Sequence, residues 1–204
     1  MTFNLPTINP PSEVIFAPEA IAYTDGSGKT DQTSNKRAGA RVWWVRKQFQ
    51  SQSLRVPKHL KQENNNIELL ALHVPPSVAN KFTNLEIITD SEVGKGMLTT
   101  NMQRIEDAGF IGVKNKALLR STIAVMRQRQ ASTKLTLVKG HSGIEGNKKT
   151  DRLAGEGADK PTPTSGKITV IPKYLLLRGA KLSKMTQARA YKGIQETKIQ
   201  DRKR

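Results

Sequence analysis

The order of the apolar segments is the feature that most limits the folds open to this chain. Three short segments rich in valine, aromatic and alternating residues come first, and then helical spacing alternates with short apolar runs. This order predicts an α/β fold, a five-stranded mixed sheet with helices on both faces. The predicted strands are residues 21–24, 39–46, 49–56, 85–89 and 135–139, and the predicted helices are residues 64–72, 92–108, 118–129 and 147–157.

Glycine, proline and tryptophan add local expectations to this outline. Pro75 and Pro76 follow the first helical segment, which predicts that this helix is short or kinked. Gly109 is expected to end the second helix. Trp43 and Trp44 are adjacent on a predicted strand, so one is expected in the core and the other partly exposed on the opposite side.

The chain of 204 residues is long enough for one domain with extensions. Residues 1–17 contain scattered prolines and little periodicity, which is typical of an extended lead-in. The segment PTPTSG at residues 161–166 is typical of a linker. We therefore predict a domain over residues 18–159 and a basic linker with a helical tail over residues 160–204, its helix at residues 181–199.

Positive charge dominates the composition. The chain has 34 Lys+Arg against 17 Asp+Glu, a net charge of +17 that suits a polyanion such as nucleic acid, although excess lysine also aids solubility. Residues 160–204 hold 12 Lys+Arg and 2 Asp+Glu, so +10 of this charge lies in the tail. The tail is either an electrostatic grip on phosphates or an appendage that is solvated or docked.

Several classes of site and location are disfavoured. Cysteine is absent, so any metal must be held by oxygen or imidazole ligands. No apolar run approaches the roughly 18 residues of a membrane span, and residues 1–14 lack the pattern of a secretion signal. We expect no membrane partner and an intracellular location, nuclear or cytoplasmic. The closing DRKR is either a nuclear address or a frayed basic end.

Four acidic residues stand at the ends and starts of predicted elements. Asp25 and Asp90 each follow an apolar run, Glu68 opens a helical pattern, and Asp151 follows KGHSGIEGNKKT at residues 139–150. Carboxylates at the carboxyl ends of neighbouring strands of an α/β sheet meet at one edge. Mg²⁺ favours such hard oxygen ligands, and four acids suit two ions.

Each acid also has an ordinary structural interpretation. Asp25 before Gly26 is also typical of a turn, and Asp90 of a helix N-cap. Glu68 alone is typical of a first-turn residue that interacts with the helix dipole, and Asp151 of an exposed helix acid. The coincidence of all four with element boundaries favours a shared site.

In order, TDGSG, NNIELLAL, ITDS and KGHSGIEGNKKTDRLAGEGA resemble the type I ribonuclease H family over residues 18–159. The last block is similar to the RNase H domain of fungal non-LTR (LINE-type) retrotransposons. The resemblance implies a ribonuclease H-like fold. It also implies a hydrolase, an endonuclease that cuts the RNA strand of RNA–DNA hybrids and leaves 5′-phosphates. The implied cofactors are two Mg²⁺ ions per site, with Mn²⁺ as a substitute.

The resemblance also implies a role for each matching residue. Asp25 is expected to bridge both ions, Asp151 to complete the site on the water side, and Glu68 with Asp90 to hold the ion on the leaving-group side. His141 matches the family's mobile histidine, which helps proton transfer or product departure; Gly140 and Gly143 beside it favour a mobile loop.

Substrate contacts are implied for five residues. Asn64 and Asn65 match minor-groove contacts, with helix caps as the alternative, and Gly26 and Ser27 are expected to present backbone groups near the RNA. Asn147 matches a family asparagine beside the histidine loop, and a helix cap is again its alternative. Thr150 departs from the family, which often has alanine there. The implied partners are the RNA–DNA hybrid and a reverse transcriptase of the same element, with the chain itself a monomer.

Two alternatives differ from this hypothesis in their predicted activity. A non-catalytic nucleic-acid-binding module could keep the fold and use the charge of +17. Another nuclease of the superfamily, such as an integrase or a proofreading exonuclease, is the second. Proofreading exonucleases need a second acid two positions after the first, where this chain has Ser27, so that match is poor.

Overall fold

A single five-stranded mixed sheet forms the centre of the protein. The structure is a computed structural model that describes residues 19–30, 36–46, 49–57, 60–140, 159–160, 171–175 and 179–202. The sheet order is β3-β2-β1-β4-β5; β1, β2 and β3 pair antiparallel, and β1, β4 and β5 pair parallel. The predicted α/β fold is confirmed. The strands are β1 (Ala20–Thr30), β2 (Lys36–Trp44), β3 (Gln52–Arg55), β4 (Leu85–Thr89) and β5 (Thr133–Leu137).

Helices cover the sheet and enclose the core. The first, α1, packs across β1 and β2 and beside α4, and alternate residues of the strands beneath it are fully buried, as Ala22 and Ile87 are. The helix predicted at residues 147–157 lies outside the described residues. The described helices are α1 (Asn64–Val78), α2 (Glu92–Leu98), α3 (Met102–Asp107), α4 (Lys116–Gln128) and α5 (Gln187–Asp201).

The first strand is longer than predicted. The expected end at Thr24 is wrong, because β1 continues to Thr30 through antiparallel pairing with β2. The parallel pairing with β4, however, ends at Thr24 opposite Thr89. Asp25 therefore lies inside a strand but at the point where its parallel neighbour stops, so that edge of the sheet is open.

The interruption expected at Pro75 and Pro76 is wrong, since α1 continues through both prolines to Val78. Both prolines are buried, and the Ala79 N–H donates to the Pro75 carbonyl at 2.9 Å. The Ser77 hydroxyl donates to the His73 carbonyl at 2.7 Å. These bonds keep the last turn closed, and burial of the helix supplies stability that local propensity lacks.

The single helix predicted at residues 92–108 is wrong, because it is divided into α2 and α3. Gly94 and Gly96 weaken helix propensity, and Thr99 at the break has φ −129° and ψ −96°, which is not helical. Gly109 ends α3 with φ +63°, as predicted.

Smaller differences concern β5 and the tail. The strand β5 begins two residues before the predicted position. The tail helix does not start at Lys181, because a 3₁₀ turn over Leu182–Lys184 precedes α5. The boundaries proposed at residues 17 and 159 stay a prediction. Among the described helices, none has the length and apolar character needed to cross a membrane.

The two tryptophans lie on opposite sides of β2, as predicted. Trp44 is 3% exposed and stacks on Phe49 with ring centroids 4.3 Å apart. Trp43 is half-buried and forms a tilted contact with Tyr23 across the β1–β2 ladder, with centroids 5.5 Å apart. Both rings have aromatic partners within the sheet layers.

Candidate active site

Three of the four predicted acids meet at the open edge of the sheet. Carboxylate oxygens of Asp25, Glu68 and Asp90 all lie within 4.8 Å of one another. Asp25 is on β1, Glu68 on α1, and Asp90 directly follows β4. Residues separated by more than sixty positions therefore supply one cluster of oxygen ligands.

The register of the sheet places the two aspartates side by side. Thr24 on β1 pairs with Thr89 on β4 in parallel, and each aspartate is the next residue along its strand. At Asp90 the chain leaves the sheet, because α2 begins two residues later. The two carboxylates therefore emerge at the same edge.

A close approach of α1 to β1 places Glu68 over this edge. A Cβ atom added to Gly26 would lie 2.7 Å from Ile67 Cγ2, 3.0 Å from Glu68 Oε1 and 3.1 Å from the Glu68 nitrogen. Only a residue without a side chain permits this contact. Gly26 also donates its N–H to Asp25 Oδ1 at 2.7 Å. It therefore helps to hold two of the three acids.

The cluster affects the ionisation of Glu68 strongly. Burial, followed by the negative charges of Asp25 and Asp90, raises the pKa of Glu68 to about 8, although a hydrogen bond from the Gly26 N–H acts in the opposite direction. Three carboxylates this close repel one another when all are ionised. A cation among them would relieve this repulsion.

A divalent metal ion fits this arrangement. Glu68 Oε2 is buried and has no hydrogen-bond partner among the described residues. A buried carboxylate oxygen without a donor is costly unless a proton or a cation satisfies it. The ligands are all carboxylates, which is the donor set of hard ions such as Mg²⁺. Asp25, Glu68 and Asp90 could therefore hold such an ion.

The ordinary interpretations of these three acids do not describe their positions. Asp25 lies within β1 opposite Arg41 rather than in a turn. Ser91 is the N-cap of α2, and its hydroxyl accepts from the Gly94 N–H at 3.1 Å, so Asp90 is not the cap. The first turn of α1 contains no acid, and Glu68 is the fifth residue of that helix.

The remaining catalytic and metal-binding candidates, His141 and Asp151, lie outside the described residues, as do Asn147 and Thr150. Gly140, which precedes them, is described: a Cβ atom added there would lie 2.8 Å from Asp90 Oδ2. The segment that begins at residue 141 therefore starts beside the carboxylate cluster. The roles of His141 and Asp151 stay predictions.

Four of the five predicted substrate-contact residues are described, and they lie on β1 and at the start of α1. Asn64 and Asn65 are exposed at the start of α1, where Glu63 occupies the N-cap position, so neither asparagine is the cap. Ser27 pairs with Gly39 in the β1–β2 ladder, and Gly26 directs its N–H at Asp25. Their contacts with a substrate stay predictions.

Two residues at the site were missed by sequence reasoning. The sequence favours Gly140 as part of a mobile loop, and its position beside Asp90 has no sequence signal beyond a missing side chain. Arg41 lies directly opposite Asp25 in the β1–β2 ladder, is fully buried and interacts with other groups of the protein. An arginine in the apolar run GARVWWVR was the available signal, because a charge is seldom placed in a buried strand without a partner.

Comparisons with known proteins agree with this geometry. A family model described as RNase H matches residues 17–159. Ribonuclease H of Methylococcus capsulatus is 29% identical over 149 residues, which cover 70% of this chain and 91% of the bacterial protein. Ribonuclease H1 of Homo sapiens is 26% identical over 141 residues, which cover 68% of this chain. The match spans 49% of the human protein, about half its length.

A solved structure is similar to this fold. It is described as the foamy viral protease-reverse transcriptase in complex with dsDNA, and it aligns with a TM-score of 0.58 and 18% sequence identity. The alignment covers 71% of this chain and 97% of that chain. At this identity the likeness supports the fold alone.

Proposed function

The chain belongs to the RNase H family, and from this premise we propose that it is a metal-dependent endonuclease that cuts the RNA strand of RNA–DNA hybrids. The observation that carries the proposal is the cluster of Asp25, Glu68 and Asp90, whose oxygens lie within 4.8 Å of one another. We assign the activity to residues 18–159, with residues 1–17 as a lead-in and residues 160–204 as a basic tail.

The acidic residues of this chain have different proposed roles in phosphodiester hydrolysis. Two Mg²⁺ ions, or Mn²⁺ in their place, would supply Lewis-acid stabilisation at both ends of an in-line displacement. Asp25 would be a ligand in both ion sites, Asp151 would complete the site on the water side, and Glu68 with Asp90 would complete the site on the leaving-group side. We propose that the cut RNA strand carries a 5′-phosphate.

Other residues bind the hybrid and handle protons. Asn64 and Asn65 contact the minor groove, where the 2′-hydroxyls distinguish RNA from DNA. Gly26, Ser27 and Asn147 complete this contact surface. The exposed position of both α1 asparagines, ahead of Glu68 on the same helix, supports their part of the assignment.

His141 takes up or releases a proton near the product phosphate. Gly140 directly precedes it in the sequence, and a Cβ atom added to Gly140 would lie 2.8 Å from Asp90 Oδ2. This position beside the carboxylate cluster supports the assignment.

We also propose a biological setting. The domain acts as a monomer beside a reverse transcriptase of the same element, and the proposed partner rests on the resemblance of the last sequence block to the RNase H domain of fungal non-LTR retrotransposons. We propose an intracellular location, nuclear or cytoplasmic, and no membrane partner.

The test is cleavage of a labelled RNA–DNA hybrid with Mg²⁺, with and without a chelator. Wild-type protein should cut only the RNA strand, and the chelator should stop the reaction. Asp25→Asn or Asp90→Asn should lower kcat by at least about 10³-fold, since each removes a metal ligand, while circular dichroism stays unchanged. Retained cleavage in either variant would refute the assignment. Binding without any cleavage would favour the non-catalytic module.

A further inference from the structure

The tail helix α5 is docked on the domain through one glutamate. Glu196 Oε1 accepts the Gly112 N–H at 2.7 Å, and Glu196 Oε2 lies 2.9 Å from Lys116 Nζ. The side chains of Glu196 and Lys116 are only 26% and 31% exposed, so the pair is partly shielded from solvent. Glu196 is one of only two acids in residues 160–204. The docking contact therefore involves one of the two negative charges of the tail.

A second contact fixes the chain just before α5. Lys181 donates its backbone N–H to the Asp107 carbonyl at 2.9 Å, and its ammonium lies 3.0 Å from Asp107 Oδ1. A Cβ atom added to Gly109 would lie 2.7 Å from the Gly179 carbonyl oxygen. Two separate contacts, one before the helix and one within it, set the orientation of α5.

The docked helix forms one wall of an open groove of about 470 Å³. The opposite walls come from α1, α2, α3 and the segment before α4, and the groove reaches Asn65, three residues before Glu68. Three cations from three parts of the chain line it: Arg104, Lys114 and Arg189. The groove therefore links the start of the carboxylate-bearing helix to the tail.

These three cations have no ion-pair partner within the part of the chain that the structure describes. The neighbouring acids form ion pairs with other cations: Glu106 pairs with Arg127, and Asp107 pairs with Lys181. Arg104 donates one bond to the Asn101 side chain at 3.3 Å, and Arg189 donates to the Lys184 carbonyl. A guanidinium has five N–H donors, so each arginine keeps donors for another partner.

We propose that docked α5 is part of the nucleic-acid-binding surface, and that Arg189, with Arg104 and Lys114, binds the phosphodiester backbone of the duplex held at the carboxylate cluster. This inference rests on the proposed function. A duplex carries one negative charge per about 1.7 Å of its axis, so cations spread along a groove can each find a phosphate. The continuity of the groove with α1 favours a duplex over an acidic protein.

A matched pair of charge reversals on α5 tests the position of the binding surface. Arg189→Glu and Lys198→Glu change the net charge equally, but Lys198 is exposed nine residues further on, half a turn around the helix. Binding of a fluorescent RNA–DNA hybrid is measured without divalent ions, over a range of salt. Arg189→Glu should weaken binding about 5-fold or more and lower the salt slope by about 1 to 2, and Lys198→Glu should change binding less than about 2-fold.

The variant Glu196→Gln is a second test, because bulk charge and loss of docking predict changes in hybrid binding of opposite sign. The variant loses one negative charge, which raises the net charge by one, so bulk electrostatics predict tighter binding of the hybrid. If docking orients the helix, its loss should instead weaken binding, by about 2- to 5-fold. Circular dichroism of each variant checks that the domain remains folded.

Three results overturn the inference: equal effects of the two reversals, tighter binding by Glu196→Gln, or binding of polyglutamate but not of the hybrid. Cleavage assays on the same proteins separate it from the proposed function. If wild-type protein cuts the hybrid but Arg189→Glu binds like wild type, only the inference fails. If Arg189→Glu weakens binding and no protein cuts the hybrid, only the proposed function fails.

Discussion

The fold changes the ionisation of Glu68 strongly. Burial and the nearby charges of Asp25 and Asp90 raise its pKa to about 8 from 4.5. Between these values the folded protein retains a proton that the unfolded chain loses. Its contribution to stability is therefore present below about pH 4.5 and is lost as the pH rises towards 8. The metal-free site is destabilising at neutral and alkaline pH.

Glu68→Gln should remove cleavage activity and stabilise the metal-free protein. Glutamine resembles the protonated glutamate and carries no charge at any pH. We expect the Tm to rise by about 2–8 °C near pH 8, with a smaller gain near pH 5, where wild-type Glu68 is largely protonated. Thermal denaturation with a chelator measures this. An equal gain at both pH values would contradict the role of the raised pKa.

The contribution of His73 to stability depends on pH in the opposite direction. It lies on α1, is 7% exposed, and its Nδ1 is 3.3 Å from the Thr122 hydroxyl on α4. That hydroxyl donates to the Leu118 carbonyl at 2.9 Å, so His73 Nδ1 is the donor in its contact with Thr122. Burial lowers the pKa of His73 to about 4. Its contribution to stability is complete above pH 6.5 and is lost as the pH falls towards 4.

His73→Leu in the Glu68→Gln background should reduce the loss of stability between pH 7 and pH 5. The background removes the titration of Glu68, and leucine removes the imidazole that must become protonated during acid unfolding. Urea denaturation at the two pH values gives the difference. The same slope in the single and double variants would show that His73 does not cause the acid sensitivity.

Among the elements, the contact between β1 and α1 decides whether the active site can form. Ile67 and Glu68 of α1 rest on Gly26, and no methyl group fits between them. Gly28, two residues along the same strand and on the same face, has more room: an added Cβ would lie 3.4 Å from Ile67 Cδ1 and 3.6 Å from Asn64 Oδ1. The two glycines form a matched pair for substitution.

Gly26→Ala should destabilise the protein by about 1–3 kcal/mol, because the helix must move away from the strand. The same movement shifts Glu68, and kcat should fall about 10-fold or more. Gly28→Ala should change stability by less than about 0.5 kcal/mol and leave cleavage nearly intact. Denaturation and single-turnover cleavage measure both effects. Similar costs at the two positions would rule out the close approach as the cause.

On the scale of the whole molecule, charge is separated between the domain and the tail. The tail carries +10 of the total +17, and Glu196, one of its two acids, pairs with Lys116 of the domain. Burial acts to raise the pKa of Glu196, but hydrogen bonds from Lys116 and Gly112 outweigh it and hold this pKa below its usual range. The docking contact therefore persists at neutral pH.

Deletion of residues 160–204 should weaken binding of RNA–DNA hybrid and flatten its dependence on salt. Each phosphate contact that is lost should reduce the slope of log K against log salt by about 0.9. Fluorescence anisotropy at several salt concentrations measures affinity and slope together, with circular dichroism as the folding control. Unchanged affinity and slope would remove the tail from the binding surface.

The sequence predicted much of the architecture and the site. Hydrophobic periodicity located the five strands, and the four predicted helices that fall on described residues cover all five described α-helices, because the positions of buried residues repeat within short windows. It missed the break between α2 and α3 and the passage of α1 through Pro75 and Pro76. In α1, burial of the helix outweighs the local effect of the two prolines, whereas the break between α2 and α3 follows the low helix propensity of Gly94 and Gly96.

The sequence by itself determined which residues could form the site: acids at the edges of apolar segments, in an order typical of the family. Only the tertiary structure decided that Asp25, Glu68 and Asp90 share one cluster, that Gly26 makes room for it, and that Glu196 docks the tail. The physical reason is distance along the chain. A side chain's neighbours set its pKa, its metal-binding capacity and its docking contacts, and here those neighbours are tens of residues away in sequence.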